Sequence, residues 1–232
     1  MIMELGELLA GNAYPGRGVL WCRTGDGALC GGYFLTGRSP ASRARVLRPG
    51  PAGELTVVPT GRAEHDSLRH YTAVRECAGR LVFGNGEQVD AVADRLAVGQ
   101  PPSQALEDLD YEPDPPIFTP RLTVVADGER AWFGAARRSV AGRTGTDRLT
   151  LRVEGLRAGE GVLMTTYRSD GHTVATGEPY AEFRTGAAAG TGLLDQVWDG
   201  LDPRLRVAAA VFGQGRLSSA GAGAGAAIRQ AR

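Results

Sequence analysis

The chain has 232 residues with 26 basic and 26 acidic side chains, and every basic one is arginine. The absence of lysine excludes Schiff-base chemistry, a desolvated lysine base and a Walker-type phosphate lysine. Any anion site must therefore use guanidinium forks or backbone N–H groups. A net charge of zero argues against a dedicated nucleic-acid or membrane-surface binder, and no apolar run approaches the roughly 20 residues of a bilayer span.

In chain order, the N-terminus lacks the basic-then-apolar order of a secretion signal. Strand-like runs follow at Val19 to Arg23 and Ala28 to Leu35, joined by Thr24-Gly25-Asp26-Gly27 as a hairpin turn. Further strands are predicted at Glu54 to Val58, Tyr71 to Arg75 and Arg80 to Phe83. Val89, Val92, Ala93 and Leu96 then recur with helical spacing, which predicts a helix over Gln88 to Val98. A short helix is expected from Ser103, as N-cap, to Leu109. Strands resume at Leu122 to Ala126, Ala131 to Ala135, Leu149 to Val153 and Gly161 to Tyr167, and a last helix covers Leu193 to Leu201. Gly186 to Gly192 reads as a small-residue linker. The order of elements is that of an α+β fold with largely antiparallel sheets. Residues 1–212 are expected to form one domain. Residues 213–232, rich in Gly and Ala, are expected to be a disordered tail.

Three cysteines (Cys22, Cys30, Cys77) without C-x-x-C spacing read as reduced core residues of a cytoplasmic protein. With the scattered His65, His70 and His172 they make no credible zinc set, so no metal is expected.

Four segments carry more chemistry than turns require. Asn12-Ala-Tyr-Pro-Gly-Arg-Gly18 is either a plain Pro-Gly turn or a grip for a phosphate or base built on Tyr14 and Arg17. Gly37-Arg-Ser-Pro-Ala-Ser-Arg43 is a solvated basic loop or an oxyanion clamp, with Arg38 and Arg43 as forks beside Ser39 and Ser42. Tyr71 pairs with Gly84-Asn-Gly-Glu-Gln88, where Asn85 and Gly86 precede a helix; this is a turn, or a backbone brought close to a ligand. Asp110-Tyr-Glu-Pro-Asp-Pro-Pro-Ile-Phe-Thr-Pro-Arg121 is stiffened by four prolines and presents Glu112, Asp114 and Arg121, which suits preorganised acid–base work.

Taken together, in this order and spacing from Leu8 to Val125, the segments resemble the archaeal-type IMP cyclohydrolase family and its bacterial IMP cyclohydrolase-like members. The resemblance implies dehydrative ring closure of 5-formamidoimidazole-4-carboxamide ribonucleotide to IMP by a hydrolase of the cyclic-amidine class. It also implies an αββα sandwich like that of N-terminal-nucleophile hydrolases, without self-processing. It maps Arg38, Tyr71 and Glu112 to the reacting centre. Asn12, Tyr14, Arg17, Ser39, Arg43, Asn85, Gly86, Asp114 and Arg121 become candidates for holding the substrate. By the same resemblance the protein uses no cofactor and assembles as a homo-oligomer such as a tetramer, with a purine-precursor ribonucleotide as its small-molecule partner and neither nucleic acid nor membrane. Val89 stands where relatives carry a hydroxyl, which is expected to remove one polar contact to the ligand. Two rival readings are cyclisation of a related imidazole or pyrazole ribonucleotide and nucleotide binding without catalysis.

Overall fold

A computed structural model describes residues 2–61, 66, 68–177, 180–213 and 225–231. The elements run β1 (Met3–Glu4), α1 (Leu5–Ala10), β2 (Arg17–Arg23), β3 (Leu29–Thr36), α2 (Pro40–Arg43), β4 (Arg45–Pro49), β5 (Leu55–Pro59), β6 (Tyr71–Cys77), β7 (Arg80–Gly84) and α3 (Gln88–Ala97). They continue with α4 (Pro102–Ala105), β8 (Arg121–Asp127), β9 (Arg130–Arg138), β10 (Thr146–Glu154), β11 (Glu160–Thr165), β12 (Arg168–Ser169), β13 (Val174–Ala175), β14 (Ala181–Arg184), α5 (Gly190–Gly200), β15 (Arg206–Gly213) and β16 (Ala227–Gln230). This is the α+β, mostly antiparallel fold that the order of elements predicts.

The long strands form two seven-stranded sheets, ordered β1-β14-β11-β2-β3-β15-β16 and β10-β9-β8-β7-β6-β5-β4, and β12 pairs with β13. All pairings are antiparallel except β1 with β14. Alternation along each strand decides which residues meet. From the first sheet Val19, Trp21, Tyr33 and Leu35 pack against Val57, Tyr71, Phe83 and Phe133 of the second, making the core between the sheets. The opposite face of the first sheet, with Leu20, Cys22 and Phe34, is covered by Leu5 and Leu9 of α1 and by Leu193, Val197 and Trp198 of α5. Val82 and Val125 on the outer face of the second sheet meet Val89, Val92 and Leu96 of α3. Because both faces of β2 and β3 are buried, their sequences read as nearly continuous apolar runs.

Several expectations shift. The predicted Ser103–Leu109 helix is shorter and starts earlier, at Pro102–Ala105, and Ser103 is not its cap. Proline suits the first helical position, and Asp108, at φ 57, has left the helical region. Gly190–Gly192, read as linker, forms the first turn of α5. Val89 is wholly buried in the layer under α3, so it packs the core and offers no ligand contact.

The expectation of disorder from residue 213 onward fails at the far end. Ala227–Gln230 pairs antiparallel with β15, and Gln230 Oε1 accepts a hydrogen bond of 2.9 Å from the Leu47 N–H of β4, which ties the two sheets together at one edge. Residues 214–224 of the predicted tail lie outside the described residues. Composition alone misses the strand because Ala-Ile-Arg-Gln buries little by itself; its backbone is satisfied by a ready-made sheet edge. Gln230→Ala is expected to cost about 1 kcal/mol, measurable as a lower denaturant midpoint with unchanged slope.

Candidate active site

One end of the fold holds a pocket of about 490 Å³ whose wall includes Tyr14, Arg17, Arg38, Ser39, Glu112 and Asp114 from three of the four segments singled out in the sequence. Its centre is an ion pair. Arg17, on the first residue of β2, and Glu112, from the proline-rich loop, are both almost fully buried. The guanidinium grips the carboxylate as a fork, with Nη1–Oε1 and Nη2–Oε2 both 2.8 Å. Arg17 Nη1 also donates to the Asn85 carbonyl at 2.9 Å.

The two members of the pair respond unequally to burial. For Arg17, burial opposes the charge, but Glu112 together with Tyr71 and Tyr167 more than offsets it and the group is held firmly protonated. For Glu112, burial outweighs the attraction of Arg17, and the carboxyl lies above the usual carboxylate range. A guanidinium does not deprotonate in proteins, so Glu112 is the member able to exchange a proton.

The loop carrying Glu112 is held from several sides. Asp114 accepts from the Thr119 N–H and the Thr119 hydroxyl, both at 2.6 Å, and Glu112 N–H donates to the Thr119 carbonyl at 2.9 Å. The Thr119 and Tyr167 hydroxyls are hydrogen-bonded to each other at 2.5 Å. The Pro115–Pro116 bond is cis. Arg138 lies 4.3 Å over the Phe118 ring, and Phe118 packs edge-on against Tyr111.

Tyr14 stacks on Tyr167 at 5.6 Å between ring centroids, and the exposed Arg38 covers Tyr14 at 4.4 Å. Gly16 makes the stack possible. It has φ +70, and a Cβ there would come within 2.4 Å of the Tyr167 ring. Asn12 secures the same turn by donating to the Tyr167 carbonyl at 2.8 Å and accepting from the Ser169 N–H at 3.0 Å.

The remaining candidates are engaged with other groups of the protein. The Tyr71 side chain is buried and hydrogen-bonded to the Tyr33 hydroxyl at 2.7 Å. Tyr71 is near enough to Arg17 to help hold that guanidinium charged, and the pocket wall does not include it. Asn85 is wholly buried and uses its amide on the Pro120 carbonyl and the Leu122 N–H. Gly86 lies beside it, close to Glu112. Arg121 is paired with Glu87 at 2.7 Å. Ser39 and Ser42 are joined in a capping box at the start of α2, so both hydroxyls are engaged in shaping the loop. Arg43 is exposed, donates to the Arg38 carbonyl at 3.2 Å and is not on the pocket wall.

Sequence reasoning missed Arg45, Arg69 and Tyr167 on that wall. Arg45 is buried and donates to the Ser42 and Thr36 carbonyls. Its signal was present as the second arginine of Ser-Arg-Ala-Arg. Tyr167 offered none, because it closes an ordinary strand run. Four guanidiniums (Arg17, Arg38, Arg45, Arg69) face three carboxylates (Asp66, Glu112, Asp114) around the pocket, a balance suited to an anionic ligand. Among the described residues, no group of three or more His, Cys, Asp or Glu side chains could hold a metal ion. No helix there is long and apolar enough to cross a membrane.

Comparison with known proteins places the chain in a family. The model of the IMP cyclohydrolase-like protein family matches residues 14–212, from Tyr14 of the aromatic stack to Phe212 in β15 of the sheet that carries Arg17. The chain belongs to the IMP cyclohydrolase-like protein family. It is 33% identical over 158 residues to the IMP cyclohydrolase of Methanopyrus kandleri, covering 66% of this chain and 75% of that protein. It is 38% identical over 112 residues to that of Halobacterium salinarum, covering 45% and 56%, and 30% identical over 149 residues to that of Haloquadratum walsbyi, covering 62% and 68%. The match thus spans three quarters of the first relative and little more than half of the second. Within the IMP cyclohydrolase-like family, the polar machinery of this chain is gathered where β2, the β3–β4 connection and the loop before β8 converge.

Proposed function

We propose that the protein closes the six-membered ring of IMP from 5-formamidoimidazole-4-carboxamide ribonucleotide, with release of water. The observation that carries this reading is the buried Arg17–Glu112 fork opening onto the same pocket as Arg38 and the Tyr14–Tyr167 stack. Ring closure requires removal of a carboxamide N–H proton, stabilisation of the oxyanion that forms on the formyl carbon, and protonation of the departing hydroxyl. Glu112 takes the carboxamide proton and passes it to the oxyanion, which becomes the hydroxyl. It then moves the second proton, given up by the formamido N–H as the C=N bond forms, to that hydroxyl as it departs as water, and is left as the carboxylate. Arg17 holds the carboxylate in place, and Arg38 faces the developing oxyanion. The planar heterocycle lies along the aromatic stack. Tyr71 acts through Arg17, and the ribonucleotide phosphate meets the open, arginine-rich side of the pocket. The family relation supports the same chemistry and, with it, an αββα sandwich of N-terminal-nucleophile type without self-processing.

The test is to incubate the purified protein with the formylated carboxamide ribonucleotide and follow hypoxanthine absorbance. Product is expected, and a folded protein that forms none would overturn the reading. Arg38→Ala is expected to lower kcat roughly 100-fold while leaving thermal unfolding nearly unchanged, because the side chain is exposed and its contact is the Tyr14 face.

A further inference from the structure

Gln88, the first residue of α3, is 2% exposed. The orientation of its amide is dictated by backbone groups that can act in only one way. The Leu122 N–H can only donate, and it does so to Asn85 Oδ1 at 2.6 Å; the Pro120 carbonyl can only accept, and it does so from Asn85 Nδ2 at 2.9 Å. Asn85 Oδ1 is thereby an acceptor, and the group that Gln88 turns toward it must be the NH₂. Gln88 Nε2 accordingly donates to Asn85 Oδ1 and to the Leu122 carbonyl, both at 3.2 Å. Flipping the amide would set three acceptors against one another. Gln88 Oε1 therefore points the other way as an obligate acceptor, buried and without a partner among the described residues.

Glu112 Oε1 borders the same space. A point one Cβ bond out from Gly86 lies 2.7 Å from Gln88 Oε1 and 3.5 Å from Glu112 Oε1. Only glycine at position 86 keeps this space clear. Two oxygens turned toward the same small space repel each other unless a proton lies between them. We propose that Gln88 is a positioning residue for Glu112: its carbonyl oxygen accepts the proton carried by Glu112, directly or through one bound water, and so holds the carboxyl in the protonated form from which the departing hydroxyl is served. This rests on the reading of Glu112 as the proton shuttle. The other charged or titratable groups acting on that carboxyl are Arg17 from β2, Arg121 from β8, Asp114 on the same loop and Tyr167 after β11. Arg17 and Arg121 favour the charged form; Gln88 acts against them.

Two variants test the proposal. Gln88→Met keeps the volume and removes the acceptor, and Gly86→Ala pushes a methyl group into the space while deleting no hydrogen-bonding group. Both are expected to lower kcat roughly 10- to 100-fold with KM little changed, and to move the acidic limb of the kcat–pH profile down by about one unit. In a Glu112→Gln background neither should lower kcat further. The Glu112 carboxyl is also followed without substrate, by infrared difference titration with Glu112→Gln identifying the band; its midpoint should fall in both variants. A folded Gly86→Ala or Gln88→Met protein with a wild-type carboxyl titration overturns the proposal, whatever its activity. Absence of turnover in the wild type would instead count against the proposed reaction, and the infrared arm still decides the role of Gln88.

Discussion

Arg17→Ala is expected to destabilise the protein by about 3–5 kcal/mol at neutral pH, since it leaves a buried carboxylate without its counter-ion. The substitution removes both 2.8 Å contacts to Glu112 and the donor to the Asn85 carbonyl. The loss should depend on pH in a definite direction. Arg17 is the strongest influence holding the Glu112 proton affinity down, so without it the folded-state carboxyl rises further above its value in the unfolded chain. A folded state that binds the proton more tightly regains stability as pH falls. Urea unfolding at a series of pH values checks this. The gap between wild type and Arg17→Ala should be widest near neutrality and narrow in acid, and a gap of under 1 kcal/mol at neutral pH would show that the pair is not the buried anchor of the site. Arg17→Lys should recover only part, because an ammonium cannot bind both carboxylate oxygens in plane while donating to the Asn85 carbonyl.

Glu112→Gln should lower kcat by roughly 10³-fold, measured on protein shown to be folded, since glutamine keeps one acceptor for Arg17 but not the fork or the counter-charge. The wild-type profile carries the sign. Burial raises the Glu112 carboxyl, and the first step requires its deprotonated form. Activity should therefore rise with pH through a midpoint above the ordinary carboxylate range. Stability moves the other way. The raised carboxyl costs nothing below its unfolded value and opposes folding progressively as pH climbs from there through the folded one. In Glu112→Gln both dependences should disappear from that window. Steady-state rates and denaturant midpoints, measured across the acidic range on the same two proteins, read them together. An acidic limb that persists in the variant would assign the proton to another group, with Asp114 the nearest alternative on the same loop.

Much of the fold was legible as pattern. The β2–β3 hairpin, the strands around it and the helix from Gln88 were readable because apolar alternation and helical spacing follow directly from which face is buried. β15, hydrogen-bonded to both β3 and β16, was not. Its Arg-Val-Ala-Ala-Ala-Val-Phe-Gly run has the composition of a helix former, and alanine carries little strand preference. Only the neighbouring strands decide it, because small residues there let Phe83 and Phe212 meet edge-on in the core between the sheets, 5.1 Å apart. α1 was missed for a related reason. Its six residues are too few to show a period, and they stay helical because Leu5 and Leu9 are buried against α5.

The candidate site divides along the same line. Residue chemistry made Arg17, Arg38 and Glu112 candidates, because loops rich in proline and glycine that carry ionisable groups can hold a ligand; the resemblance, not the residues alone, gave Arg38 and Glu112 their roles. The absence of lysine likewise restricted any anion site to guanidinium forks or backbone N–H groups, and four arginines line the pocket. Partnership was another matter. The carboxylate that occupies Arg17 comes from 95 positions away, and the aromatic partner of Tyr14 is a tyrosine at the end of an ordinary strand. Asn85 and Asn12, expected from the resemblance to hold the substrate, each donate to a backbone carbonyl. An isolated sequence specifies which hydrogen-bonding and charged groups exist and which stretches can be rigid. Which donor meets which acceptor is settled only when the two sheets close on each other, since burial forces every polar group to find a partner and removes from the ligand's reach those that have found one.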